Sequence, residues 1–214
     1  MPKKAIVFVD ANNWYHNVKK YFNPGDIDIT KLGEFLCKQK DYKLVEIRWY
    51  ASLPNIQDGE INYYKHMSFL SKLEKNGVKV ITRKLQRLSN KETQERQKQT
   101  IDGLDLCKVC KPIVESTFLD LSDFKRKEKG IDVWIAVDII RKSIIDKECD
   151  VCILVSGDAD FVPSLEIIKK QKIEILTCMT SMGYSSELIN KFPYFILRKE
   201  TLVHCFRSYK NVKA

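Results

Sequence analysis

Short apolar runs alternate with helical patterns along the chain. KAIVFVD (Lys4–Asp10) is a continuous apolar run that ends in an acid. LVEIRWYA (44–51), VKVIT (78–82), DVCILVS (150–156), IEILTCM (173–179) and YFILR (194–198) follow it. Runs this apolar predict strands buried on both faces. Between them, residues 62–76 carry Tyr63, Met67, Leu70 and Leu73 at helical spacing, with Gly77 as a stop. Residues 131–145 are apolar almost all round, which predicts a well-buried helix. Residues 161–171 carry Leu165 and Ile168 three apart. This alternation predicts an α/β fold, a mainly parallel sheet with helices on both faces.

The pattern lapses from Lys84 to Lys129, where the chain turns polar and irregular. The whole of 1–214 therefore reads as one domain with a polar insertion at about 84–129, rich in Lys, Arg and Gln. Its 214 residues suffice for a sizeable core, and 44% hydrophobic with 30% charged residues exclude a disordered chain. No apolar run is long enough to span a bilayer. The opening MPKKAIVFVDANN has two lysines, but its apolar run is short and cut by Asp10, so no signal peptide is expected. The expectation is a cytoplasmic protein with no membrane partner.

Charge sharpens the picture. There are 37 Lys+Arg against 28 Asp+Glu, a net +9, and a basic surface favours a polyanion, nucleic acid above all. Seven cysteines, an odd number spread through apolar segments, predict reduced thiols. Cys37, Cys152 and Cys178 read as small buried hydrophobes. Cys107/Cys110 and Cys149/Cys152 are both C-x-x-C pairs. Their separation exceeds zinc-ribbon spacing and Cys152 falls within a strand. A structural zinc on Cys107 and Cys110 is thus only a lesser alternative.

The acids carry the chemistry. In an open parallel sheet, ligands bind beyond the carboxyl ends of the strands. Asp10 ends the first strand, and Asp158 and Asp160 follow the fourth. If those strands are neighbours, three carboxylates meet at one edge. A single such acid is ordinarily a cap; three, each at the end of an apolar run, are not readily explained as caps together. Asp132 opens a helix, where it suits the positive end of the dipole or adds a fourth carboxylate. Like charges this close repel, and a hard divalent cation, Mg²⁺ or Mn²⁺, removes the conflict.

Three stretches in order, VDANN (9–13), KGIDVWIAVDI (129–139) and SGDADFVPSL (156–165), resemble the signatures of the NYN domain, the LabA-like branch of the PIN-like nucleases. The tail SSELINKFPYFILRKETL is similar to the family's closing helix and strand. The resemblance runs from about residue 3 to 202, with 84–128 variable. It implies a Rossmann-like (PIN-like) three-layer sandwich and a metal-dependent ribonuclease. Asp10, Asp132, Asp158 and Asp160 would be the acidic metal centre. Asn13 would orient Asp10 or touch the scissile phosphate. Ser156 would support the ligands from behind. Asp138 matches a recurrent family acid, although helical geometry sets it off the face of Asp132. Gln171 and Pro193 depart from the family's usual glycine and aspartate, away from the acids.

The resemblance implies a metal-activated water and in-line displacement leaving a 3′-hydroxyl and a 5′-phosphate. Asp158 or Asp160 would position that water. Arg83 and Lys84, after the third strand, and Lys125, Arg126, Lys127 and Lys129, before Asp132, would guide single-stranded or structured RNA. Tyr15 would stack on a base, and Trp14 would stack or join the core. PIN-like proteins also commonly form homodimers. The alternative is a non-catalytic RNA-binding or scaffold protein of the same fold. A phosphatase of the haloacid-dehalogenase type is disfavoured, because VDANN lacks a second Asp two residues on.

Overall fold

The computed structural model describes residues 1–54, 56, 59–84, 86–87, 90–122, 126–127 and 130–207; at 86–87, 90–94, 118–122 and 126–127 it describes the backbone alone. The chain forms two compact units, Met1–Arg83 with Gly130–Ala214, and Lys84–Lys129. In chain order the elements are β1 (Lys4–Asp10), α1 (Ala11–Val18), α2 (Ile29–Lys38), β2 (Lys43–Leu53), α3 (Glu60–Lys75) and β3 (Lys79–Lys84), then β4 (Gln86–Arg87), α4 (Asn90–Asp102), α5 (Cys110–Ser122) and β5 (Arg126–Lys127). The first unit resumes with α6 (Ile131–Ile140), β6 (Val151–Val155), α7 (Val162–Lys170), β7 (Glu174–Thr180), α8 (Ser186–Lys191), β8 (Tyr194–Leu197) and α9 (Lys199–Val203).

A six-stranded parallel sheet of order β3-β2-β1-β6-β7-β8 forms the centre of the first unit. Its two middle strands explain why their sequences are apolar throughout. Ala5, Val7 and Val9 of β1 and Val151, Ile153 and Val155 of β6 enter one core, while Ile6, Phe8, Cys152 and Leu154 enter the other. Trp14 and Val18 of α1, Leu32 and Leu36 of α2, Leu70 and Leu73 of α3 and Leu202 of α9 cover the first face. Ile131, Ile135 and Ile139 of α6, Val162, Leu165 and Ile168 of α7 and Leu188 of α8 cover the second. Each fully buried Ile, Leu or Phe contributes about 1.5–3 kcal/mol, so the two cores fix the three layers. Among the described residues no helix is long and apolar enough to cross a membrane.

Two expectations need correction. The helix at 131–145 is not well buried all round. Only the stripe Ile131, Ile135, Asp138, Ile139 and Ser143 is fully covered, and Val133, Trp134 and Val137 are 65%, 42% and 53% exposed. Apolar residues on every side do not bury a helix that meets a sheet on one side. The α-helix also gives way to a π-helical turn at Arg141–Ile145. The described residues of the segment 84–129 are largely regular. They form α4 and α5, which pack on each other, and the antiparallel pair β4 and β5.

One buried charge ties the second core to the sheet. Asp138, on α6, accepts hydrogen bonds at 2.8 Å from Arg48 Nη2 and from the Tyr50 hydroxyl. Arg48 Nε also donates to Tyr50 at 2.8 Å. Burial works against the Arg48 charge, but Tyr50 and Asp138 hold the guanidinium ionised.

Candidate active site at the sheet switch point

The chain runs outward from β1 through β2 to β3, then returns to β6 beside β1 and runs the other way. The reversal lies between β1 and β6, the position where open α/β sheets leave a crevice beyond their strand ends. Val9 pairs in register with Val155, so Asp10 and Ser156 follow side by side. Both continue the alternation that puts Phe8 and Leu154 on the face covered by α6 and α7.

Asp10 is only 4% exposed. It ends β1 in an extended conformation and caps α1, its Oδ1 accepting from the backbone N–H of Asn12 and Asn13 at 3.1 Å each. Oδ2 accepts from the buried Ser156 hydroxyl at 3.0 Å. That hydroxyl in turn accepts from Asp158 N–H at 3.2 Å, and Asp158 Oδ1 accepts from Asp160 N–H at 3.0 Å. One chain of hydrogen bonds therefore joins Asp10, Ser156, Asp158 and Asp160. Asp10 and Asp158 are both caps, of α1 and of the 3-10 turn Ala159–Phe161. Capping was not expected of them together, yet it engages one oxygen of each and fixes the carboxylates in place.

Asn13 holds the next turn. Its Oδ1 accepts from Gly157 N–H at 3.1 Å and from Asn17 Nδ2 at 3.0 Å. Gly157 has to be small: a Cβ there would lie 1.8 Å from the Gly183 carbonyl oxygen. A Cβ on Gly183 would in turn lie 2.2 Å from the Asn17 side chain. The loops after β6 and β7 and the first helix thus interlock beside Asp158. Sequence reasoning missed Asn17, Gly157 and Gly183. The signal was Asn17 four residues after Asn13, on the same face of a helix.

The other expected residues are distributed as follows. Asp160 is exposed and Asp158 half-buried. Asp132 lies half-buried in the first turn of α6, which packs on β1, β2, α7 and the turn carrying Asp160. Arg83 is exposed and reaches the start of that helix, its Nη1 donating to the Gly130 carbonyl at 3.4 Å. Gly130 has φ 86°, and a Cβ there would meet the same nitrogen at 2.1 Å. Asp138 lies in the Arg48–Tyr50 network. Tyr15 is 51% exposed with Lys19 Nζ 5.4 Å from its ring, while Trp14 is buried in the core. Lys84 ends β3, exposed. Arg126 and Lys127 lie in β5 with their backbone alone described, and Lys125 and Lys129 lie outside the described residues.

Among the described residues no three acidic, histidine or cysteine side chains converge closely enough to form a metal cage. The donors at this edge are all oxygens, the set a hard divalent cation takes. A dinucleotide, the common ligand of such sheets, is disfavoured. The N–H groups that would meet its pyrophosphate are already taken by Asp10, a negative charge in the position of the first fingerprint glycine.

The family model of the NYN domain matches residues 4–199. The chain belongs to the NYN domain family. That family lies within the PIN-like nuclease superfamily. This NYN domain is 21% identical over 195 residues to the low amplitude and bright protein LabA of Synechococcus elongatus, covering 91% of this chain and 83% of that one. The LabA-like resemblance of its motifs agrees with that similarity. The crystal structure of a short-chain dehydrogenase from Oenococcus oeni is similar at 14% identity, over 93% of this chain and 86% of that one, with a TM-score of 0.28. The two C-x-x-C pairs of this NYN domain differ in setting. Cys149 and Cys152 are buried core residues and Cys107 and Cys110 are exposed.

Proposed function

We propose that this NYN domain is a metal-dependent ribonuclease. The observation that carries the reading is the hydrogen-bonded chain Asp10–Ser156–Asp158–Asp160 at the switch point of the sheet. Asp10, Asp158, Asp160 and Asp132 would hold Mg²⁺ or Mn²⁺, which supplies an acidified water and neutralises charge on the phosphate. Because no three ligands are drawn together among the described residues, a cation there would keep several of its waters, as Mg²⁺ commonly does.

The chain's own residues do the rest. The capped Asp10 is held rigid by two backbone N–H groups and a hydroxyl, so it does not reorganise during reaction. Asp160, exposed, is the group that accepts a proton from the attacking water, and Asp158 orients it. Asn13 keeps Gly157, and with it the acidic turn, in register. Arg83, beside the start of α6, offers a planar fork to a phosphate, and Tyr15 a ring to an unpaired base.

The test is cleavage of labelled single-stranded RNA with Mn²⁺, Mg²⁺ or EDTA, beside Asp158→Asn/Asp160→Asn. Cleavage that needs metal and vanishes in the variant supports the reading. Equal cleavage by both proteins removes these acids from the chemistry. A second reading, RNA binding without catalysis, is favoured by the lack of three converging ligands among the described residues. It predicts retention of RNA by wild type and variant alike, with no cleavage in any metal.

A further inference from the structure

Five of the seven cysteines, Cys37, Cys149, Cys152, Cys178 and Cys205, are buried. Burial pushes the thiols of Cys37, Cys149 and Cys205 up to about 11, and those of Cys152 and Cys178 higher. They are shielded from reagents and poor in thiolate, the reactive form.

Cys107 and Cys110 are different in both respects. Both are exposed, in the second unit, where the chain enters α5. The helical turn begins at Cys107, whose carbonyl accepts from Lys111 N–H at 3.0 Å. Its sulfur takes the place of a capping oxygen and accepts from Cys110 N–H at 3.3 Å. The neighbouring Cys110 thiol and Val109 N–H also favour negative charge on that sulfur. These neighbours, the Cys110 thiol first, hold the Cys107 thiol below its ordinary value, and the Cys107 side chain raises that of Cys110. The Cys107 sulfur thus already sits against the backbone of Cys110, one turn along the chain. Residues three apart on a helix have Cβ atoms about 5–6 Å apart, and a modest closure reaches the roughly 3.5–4.5 Å of a disulfide.

We propose that Cys107 and Cys110 are a redox-active dithiol that closes reversibly to a disulfide in exchange with small disulfides such as oxidised glutathione. The thiolate of Cys107 attacks one sulfur of oxidised glutathione, breaking its S–S bond and releasing one glutathione thiolate. The mixed disulfide is then attacked by Cys110, which gives up its proton, forms the Cys107–Cys110 bond and expels the second glutathione. Two electrons pass from the dithiol to the reagent, and two reduced glutathiones leave. The ligand count favours this chemistry over a metal. A structural zinc needs four donors, and among the described residues no three cysteine, histidine or acidic side chains converge.

The experiment equilibrates the reduced full-length chain in glutathione buffers of rising oxidised fraction, quenches with acid, alkylates after unfolding and maps the products by mass. The expected product is lighter by two hydrogens, with a Cys107–Cys110 cross-link and the other five cysteines alkylated. Cys110→Ser stops at a glutathione adduct on Cys107, and Cys107→Ser reacts at least about tenfold more slowly than Cys110→Ser. The proposal is overturned if both thiols stay alkylatable at every ratio, or if the adducts fall on other cysteines. It is equally overturned by a stoichiometric zinc ion that survives purification and protects both thiols until a chelator is added.

Discussion

Asp10 and Asp138 are both acids, and at 4% and 5% exposure both are buried. Their surroundings are built for different ends. Asp138 faces Arg48 in a closed ion pair, with Tyr50 completing the network. Asp10 is held by backbone amides at a helix start and by a serine that leads to two more acids. A carboxylate matched to a buried cation is architecture. A carboxylate fixed at a strand end and joined to others at the mouth of a crevice is the one to which the proposed ribonuclease reading assigns chemistry. Tyr50 pairs in register with Asp10, so the two networks lie on adjacent strands.

The sharpest break of that contrast is functional. Asp158→Asn/Asp160→Asn should lower RNA cleavage by about 10²–10⁴-fold and leave the melting temperature near wild type; cleavage assays paired with thermal melts read both. Next comes Asp138→Ala, which leaves the buried Arg48 with Glu46 as its remaining acidic partner. It should cost about 1.5–3 kcal/mol in urea unfolding, with cleavage per folded molecule unchanged. If it instead abolished cleavage at full stability, the division between architecture and chemistry would fail. Gly157→Ala should be intermediate, costing about 1–3 kcal/mol because the new methyl must displace the Gly183 carbonyl. It should also reduce cleavage, since the Asn13–Gly157 bond positions the acidic turn; a crystal structure of the variant would show whether that bond is lost.

The smallest effect tests an acid remote from both networks. Asp28 caps α2. Burial pushes its carboxyl up, but bonds from Thr30 and Lys31 and the charge of Arg207 hold it below its ordinary value. A depressed folded value means its contribution is full above the unfolded value and is lost as pH falls through the folded one. The stability gap between wild type and Asp28→Asn should therefore narrow in melts taken from about pH 5 down to about pH 2.

The central strands were legible because residues buried on both faces leave an unbroken apolar run, as Ala5–Val9 shows. The acids at the strand ends were legible for the same reason: each interrupts such a run. α2 was missed although Asp28, Ile29, Leu32 and Leu36 carry a cap and a helical stripe. α4 offered no stripe at all, since NKETQERQKQTID is polar apart from the single buried Ile101. Arg48 was a clue left unused. A charge inside an apolar strand needs a buried partner, and that partner, Asp138, lies 90 residues away on a helix. No local pattern contains a pairing of that range.

The switch point also sets when the site can exist. Asp10 and Ser156 are 146 residues apart along the chain. At about 5–20 residues per second, a ribosome releases the second roughly 7 to 30 seconds after the first. Until then β1 has no β6 to lie against, and the serine that joins Asp10 to Asp158 has not been made. A growing or truncated chain therefore carries half of the acidic edge and none of its assembled geometry. The topology itself delays the site until four of the six strands have been made.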